Sequence, residues 1–187
     1  MDQEARWVAQ LKQGDAAAFE LLFAPYFATT YRLCLGILGN THDADDVVQE
    51  TFLRAFRSFR TYDPHQPLYP WLRSIAIRQS LSFQHKVRTR RETLVADVPD
   101  RAESTAETGH ETLVWALQGL PRHLRVVVWL YYGEDMPIQE IAQALHCPVG
   151  TIKSRLHHAR QRLLSLLQSD VPSEKGGVAH VRPAPRS

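Results

Sequence analysis

Apolar residues recur at three-and-four spacing along most of the chain, which predicts helices throughout. Asp15 can cap a helix whose apolar stripe is Phe19, Leu22, Phe23, Tyr26, Phe27, Tyr31, Cys34 and Leu38. Pro25 has no N–H to donate, so it should kink or restart that helix, and Gly39-Asn40 should end it. A second helix is predicted over residues 43–60, with Val48, Phe52, Ala55, Phe56 and Phe59 inward. Its outer face carries Asp46, Val47, Glu50, Arg54 and Arg57, flanked by Leu53. Three prolines in residues 62–70 then predict a loop, neither helix nor central strand. A third long helix starts at Trp71 and ends in the basic run Lys86, Arg88, Arg90, Arg91. Trp71, at the start of an amphipathic helix, reads as core in preference to a base-stacking platform.

Residues 92–107 lose this periodicity and read as a linker. Thr108 and Glu111 have capping-box spacing and open the next helix. Another starts at Leu120-Pro121 and runs to Tyr132, followed by a turn over 133–137 and helices over 138–145 and 149–167. The tail from Ser169, rich in Gly, Pro and Ser, has the composition of a disordered segment. The expectation is an all-α protein of two small helical domains, residues 1–91 and 108–168, joined by a flexible linker, 92–107, and followed by a disordered tail, 169–187.

The last two helices have helix-turn-helix form, with Pro148 suited to the first turn of the second. In that second helix Ile152, Leu156, Ala159, Leu163 and Leu166 share one face. Ser154, His157 and Gln161 lie opposite, flanked by Thr151, Lys153 and His158. Such a helix suits the major groove of DNA, although periodicity alone fits a solvated face equally well. His146 stands in the turn where glycine is commonest, and histidine tolerates a left-handed backbone better than most residues.

The formal net charge of +2 over 187 residues is too small to hold nucleic acid strongly by itself. Its distribution says more. Residues 1–91 and 112–168 each carry a net +3, whereas residues 92–111 carry −5, which marks two modules around an acidic connector. Cys34 and Cys147 are far apart and in no paired metal spacing, as expected in a reducing cytoplasm. The polar start Met1-Asp2-Gln3-Glu4 is unlike a secretory leader, and the longest apolar run, residues 126–132, is too short to span a bilayer. These features predict a cytosolic protein without membrane insertion.

Two groups of residues resemble a known family. Leu120-Pro-Arg-His-Leu-Arg-Val-Val-Val-Trp-Leu, Ile138-Gln-Glu-Ile-Ala and Pro148-Val-Gly-Thr-Ile-Lys-Ser-Arg-Leu-His-His-Ala-Arg are similar to the fourth conserved region of bacterial sigma factors, best in the extracytoplasmic-function (ECF) group. Gly14-Asp-Ala-Ala-Ala-Phe, Asp43-Ala-Asp-Asp-Val-Val-Gln-Glu-Thr-Phe-Leu and Trp71-Leu-Arg-Ser-Ile-Ala resemble the second conserved region. Together they cover residues 14–168 in the expected order.

The resemblance implies a promoter-specificity factor that is not an enzyme, has no cofactor, is monomeric when free and joins the nucleoid within holoenzyme. It implies docking of Asp45, Asp46, Gln49, Glu50 and Leu53 on the clamp helices of the largest subunit of core RNA polymerase. A further contact is implied to the flap of the second-largest subunit. The carboxylates of this helix also suit its N-terminus through the helix dipole. Promoter DNA would be opened at the minus-ten element by Tyr62, Tyr69, Arg73, Arg78, Lys86 and Arg88, and held at the minus-thirty-five element by Thr151, Lys153, Ser154, Arg155, His157 and His158. Arg78, Ser82 and His158 stand where the family usually has asparagine, aspartate and arginine. Asp97, Asp100, Glu103 and Glu107 are placed to mimic nucleic-acid charge in a basic channel, a role to which a plain solvated spacer is an equal alternative. The family also implies a stress- or signal-responsive role and control by an anti-sigma factor.

Two other classes compete. A stand-alone helix-turn-helix regulator would bind DNA tightly without polymerase and usually as a dimer, for which no heptad is evident. A metal sensor or metalloenzyme is suggested by His146, Cys147, His157 and His158, but adjacent residues rarely reach one ion and no HExxH or CxxC spacing exists. Neither a phosphate-binding glycine loop nor a nucleophile elbow is present in the sequence.

Overall fold

The computed structural model describes residues 3–94 and 116–169, and every element among them is helical. The capping box, the tail beyond Ser169 and nearly all of the linker lie outside the described residues. Eight α-helices are described: α1 (Gln3–Lys12), α2 (Ala17–Phe23), α3 (Phe27–Leu38), α4 (Thr41–Ser58), α5 (Leu68–Leu94), α6 (Arg122–Val128), α7 (Ile138–Ala144) and α8 (Val149–Ser169). The expected domain end at residue 91 falls inside α5.

Local chemistry sets most of these boundaries. The Asp15 side chain accepts a hydrogen bond from the Ala17 N–H at 3.0 Å ahead of α2. Pro25 converts the next turn to a 3-10 turn, Ala24–Tyr26, so the predicted single stripe becomes two helices. Gly39 stops α3 in the left-handed conformation at φ 86°, where a side chain would be strained. Asn40 then caps α4 reciprocally. Its Oδ1 accepts from the Asp43 N–H at 2.8 Å and its Nδ2 donates to Asp43 Oδ2 at 2.7 Å. The proline-spaced loop is shorter than predicted, because α5 already includes Leu68, Tyr69 and Pro70. Proline is tolerated there because N–H groups of the first turn have no partner within a helix.

Two residues of α4, Val47 and Phe56, depart from their predicted faces. Ala44, Val47, Val48, Thr51 and Ala55 are buried, whereas Phe56 is 43% exposed. The inward stripe is therefore rotated toward Val47, since α3 and α5 together cover that side of the helix. Residues 17–38 form a longer apolar stretch than the run at 126–132 read from the sequence, with a mean hydropathy of 1.4 over an 18-residue window. Packing accounts for much of that apolar content: Leu22, Phe23, Leu33, Cys34 and Ile37 are buried among α1, α4 and α5.

An aromatic-rich cluster built on Phe23, Phe59, Leu68 and Leu72 holds α1 and α2 to α4 and α5. Trp71 packs against it, with ring contacts to Phe23, Phe59 and Tyr62, as expected of a core residue. A second cluster joins Leu33, Ile37, Val48 and Ile77 to Val127, Leu130, Ile141 and Ile152. It therefore crosses from the amino-terminal helices to the carboxy-terminal ones. The helix predicted to run through Tyr132 ends in a π-helical turn, Trp129–Gly133, where the Glu134 N–H bonds back to the Trp129 carbonyl at 3.1 Å.

Candidate nucleic-acid interface

In the helix-turn-helix, Pro148 precedes α8 and His146 takes the left-handed conformation at φ 49° that its place in the turn requires. Ile152, Leu156 and Ala159 are buried against α6 and α7, which fixes the rotation of α8. Lys153, Ser154, His157 and His158 are exposed and Thr151 and Arg155 half-buried, so the outward face is short, polar and cationic. Arg160 ties α8 to the π turn, donating from Nε to the Tyr132 hydroxyl at 2.8 Å. Among the described residues no three His, Cys, Asp or Glu side chains are grouped to hold a metal ion.

On the amino-terminal helices, Asp45, Asp46, Gln49 and Leu53 are exposed on α4. Glu50 is half-buried and paired with Arg54 at 2.6 Å. Ala16, Phe19, Gln49, Phe52, Leu53 and Phe56 line an open groove whose rim at Leu53 is 50% exposed. The edge of the Phe19 ring meets Phe56 at 5.2 Å, and Phe27, 54% exposed, stacks on Phe52 at 5.7 Å. An exposed apolar groove on the helix that also carries Asp45, Asp46 and Glu50 is suited to a protein partner.

The expected minus-ten residues do not form one patch. Arg78 is exposed and opens onto a cleft with Arg54, Arg57, Ser58, Ile75 and Gln79. Lys86 is exposed further along α5, and the Arg88 side chain lies outside the described residues. Tyr62 is in the core, stacked on Phe59 at 5.2 Å with its hydroxyl donating to the Gln66 carbonyl. Its ring is thus turned away from any base, because the aromatic cluster needs its apolar area. Tyr69 and Arg73 face the carboxy-terminal helices. The Tyr69 hydroxyl donates to Glu134 at 2.7 Å, and Arg73 donates to the Glu134 carbonyl at 3.1 Å and to the Glu140 carboxylate at 3.4 Å. Burial pushes both the Tyr69 hydroxyl and the Glu134 carboxyl above their ordinary pKa ranges.

Arg54 and Arg57 were legible in the sequence only as an outward face. Their convergence with Arg78 depends on how α4 crosses α5, which periodicity does not reveal. The cleft holds about 520 Å³ and is lined by three arginines, a setting suited to phosphate oxygens.

Comparison with known proteins gives a separate family match in each half of the chain. The sigma-70 region 2 family matches residues 22–91, and the sigma-70 region 4 family matches residues 111–163. The ECF RNA polymerase sigma factor SigW of Bacillus subtilis is 30% identical over 178 residues, covering 86% of this chain and 95% of that protein. SigE of Mycolicibacterium smegmatis, another ECF sigma factor, is 34% identical over 166 residues, covering 82% and 64%. Among solved structures, the fold is similar to RpoE of Bartonella quintana, crystallised with the anti-sigma factor NepR. That match has a TM-score of 0.65 and 24% identity over 81% of this chain and 98% of that one. CnrH, solved with the cytosolic domain of CnrY, has a TM-score of 0.59 at 24% identity, covering 90% and 99%. With a helical unit matched in each half and a relative aligned over nearly its whole length, the chain belongs to the ECF RNA polymerase sigma factors.

Proposed function

We propose that this protein binds core RNA polymerase through the α4 groove and directs it to promoters through α8 and the basic cleft. The observation that carries the reading is that one chain pairs an apolar groove, on the helix bearing Asp45, Asp46 and Glu50, with a helix-turn-helix whose cationic face is open. Asp45, Asp46, Gln49 and Glu50 supply charge-assisted contacts to the clamp helices around the hydrophobic anchor Leu53, assisted by Phe56. The carboxy-terminal helices engage the flap and place Lys153, Ser154, His157 and His158 in the major groove of the minus-thirty-five element. Arg54, Arg57 and Arg78 follow the phosphates of the opened minus-ten element. Polymerase performs the chemistry, in the cytoplasm, and the free factor is a monomer until it joins holoenzyme on the nucleoid.

Control by an anti-sigma factor is part of this proposal, supported by the fold shared with RpoE of Bartonella quintana, which was solved with the anti-sigma factor NepR. The domain division at 1–91 and 108–168 is retained, with the first module extended to Leu94.

Run-off transcription with core polymerase on a genomic promoter library tests the reading. The wild-type chain should create start sites that core polymerase alone lacks. Reversing the charge of Asp46 and Glu50 (D46K/E50K) should abolish core binding while the helical circular dichroism is retained. Unchanged affinity for core polymerase would remove α4 from the docking surface. Tight, sequence-specific DNA binding without polymerase would favour a stand-alone regulator.

A further inference from the structure

α8 carries no Asp or Glu in its 21 residues, and its cations are ordered about the helix axis. At about 100° per residue, Gly150, Ser154 and Gln161 form a central outward strip. Lys153, His157 and Arg160 run along one edge of that strip, and Arg155, His158 and Arg162 along the other, all exposed except the half-buried Arg155. Ile152, Leu156 and Ala159 are buried on the far side, so the core fixes the direction in which the strip faces. A helix with its side chains is about 10–12 Å across, and the major groove is about 12 Å wide. A helix seated there brings its centre to the base edges and its two sides to the two phosphate backbones.

Among these cations Arg160 is braced. Its Nε donates to the Tyr132 hydroxyl at 2.8 Å, and its guanidinium carbon lies 5.8 Å from the centroid of the same ring. Tyr132 stands on the π turn, Trp129–Gly133, where it is 54% exposed and meets Tyr131 edge to face at 4.8 Å. No carboxylate reaches Arg160 among the described residues. With Nε engaged, Nη1 and Nη2 are left to donate as a pair, the end of the guanidinium that matches two phosphate oxygens.

We propose that Arg160 grips a backbone phosphate of the upstream promoter element and that Tyr132 is its positioning residue, which sets the guanidinium fork toward one strand while Ser154 and Gln161 face the bases. The inference rests on the reading above that α8 meets promoter DNA. A long cationic side chain loses rotamer freedom when it holds a phosphate, and the tyrosine restricts it before DNA arrives. Such a contact fixes the seat of α8 without reading sequence. It also gives a reason for a large aromatic ring left half in water.

Holoenzyme binding to a promoter duplex recovered in the run-off screen, titrated over a range of salt, tests the assignment. A random-sequence duplex of the same length is the second probe. Arg160→Ala should bind both duplexes more weakly by the same factor, with the slope of log K against log salt smaller by about one. Tyr132→Phe, which keeps the ring, should weaken binding about threefold with the slope unchanged, because the charge remains. Adding Tyr132→Phe to Arg160→Ala should weaken binding no further. Arg160→Lys should keep the slope and lose affinity, since lysine offers no fork. It also carries the comparison if the alanine variant loses its helical circular dichroism. An unchanged slope for Arg160→Ala would overturn the phosphate contact, and so would a loss confined to the promoter duplex, which would mean base readout. Wild-type affinity in Arg160→Lys would overturn the use of the fork. A lower unfolding midpoint for Tyr132→Phe with wild-type binding would reduce the tyrosine to a folding role. If wild-type holoenzyme does not prefer the promoter duplex to the random one, the promoter reading fails, while a slope change shared by both duplexes would still stand.

Discussion

Cys34 shows how tertiary burial changes the chemistry of a residue whose sequence context says little. It is fully buried on α3 beside Ser80, and burial pushes its thiol up to about 11, only partly offset by the Ser80 hydrogen bond. The reactive thiolate is therefore scarce at neutral pH. Iodoacetamide at about pH 8 should label Cys147, which is partly accessible, and spare Cys34 until the chain is unfolded. Rapid modification of both cysteines in the native protein would contradict the packing of α3. Ile152 offers a second residue-scale check, since it is fully buried where α8 meets α6 and α7. Ile152→Ala should lower stability by about 2–5 kcal/mol in urea denaturation, and a cost within about 0.5 kcal/mol would mean a surface position.

Elements decide which faces are offered to partners. The outward face of α8 was readable from its 100° periodicity alone, because Ile152, Leu156 and Ala159 repeat on the inner side. Replacing Lys153 and Arg155 with alanine should weaken minus-thirty-five recognition in a footprint of holoenzyme and leave core binding unchanged. Loss of both activities would indicate misfolding, because Arg155 is half-buried. α4 was less legible. Its apolar residues outnumber the positions one neighbour can cover, so periodicity could not tell that Val47 goes in and Phe56 stays out. That reversal leaves Phe56 lining the apolar groove, a contribution the sequence reading assigned to the core.

The whole molecule adds a pH response that neither module has alone. Glu134 faces Tyr69 and Arg73 on α5 and Arg32 on α3, with Asp135 beside it. Burial raises its pKa in the folded chain despite the opposing pull of Tyr69 and the two arginines. A raised carboxyl pKa means that folding takes up a proton, so the contribution of this group is full below its ordinary range and is lost as pH rises through the raised value. In urea denaturation, the stability difference between the wild type and Glu134→Gln should therefore shift in favour of the variant as pH rises above the ordinary carboxylate range. A difference that is independent of pH, or that favours the wild type as pH rises, would refute the sign.

Sequence alone determined the all-α class, the positions of the breaks at Pro25, Gly39 and His146, and the two family units, because each depends on residues close in the chain. Capping, proline and glycine act over one turn, and a helix shows its inner face through its own repeat. Only the tertiary structure decided that Tyr62 belongs to the core, that Arg54, Arg57 and Arg78 converge, and that Tyr69 and Arg73 meet Glu134 and Glu140. Those outcomes depend on how helices cross and on which carboxylate lies more than sixty residues away, and no local pattern records a contact of that range.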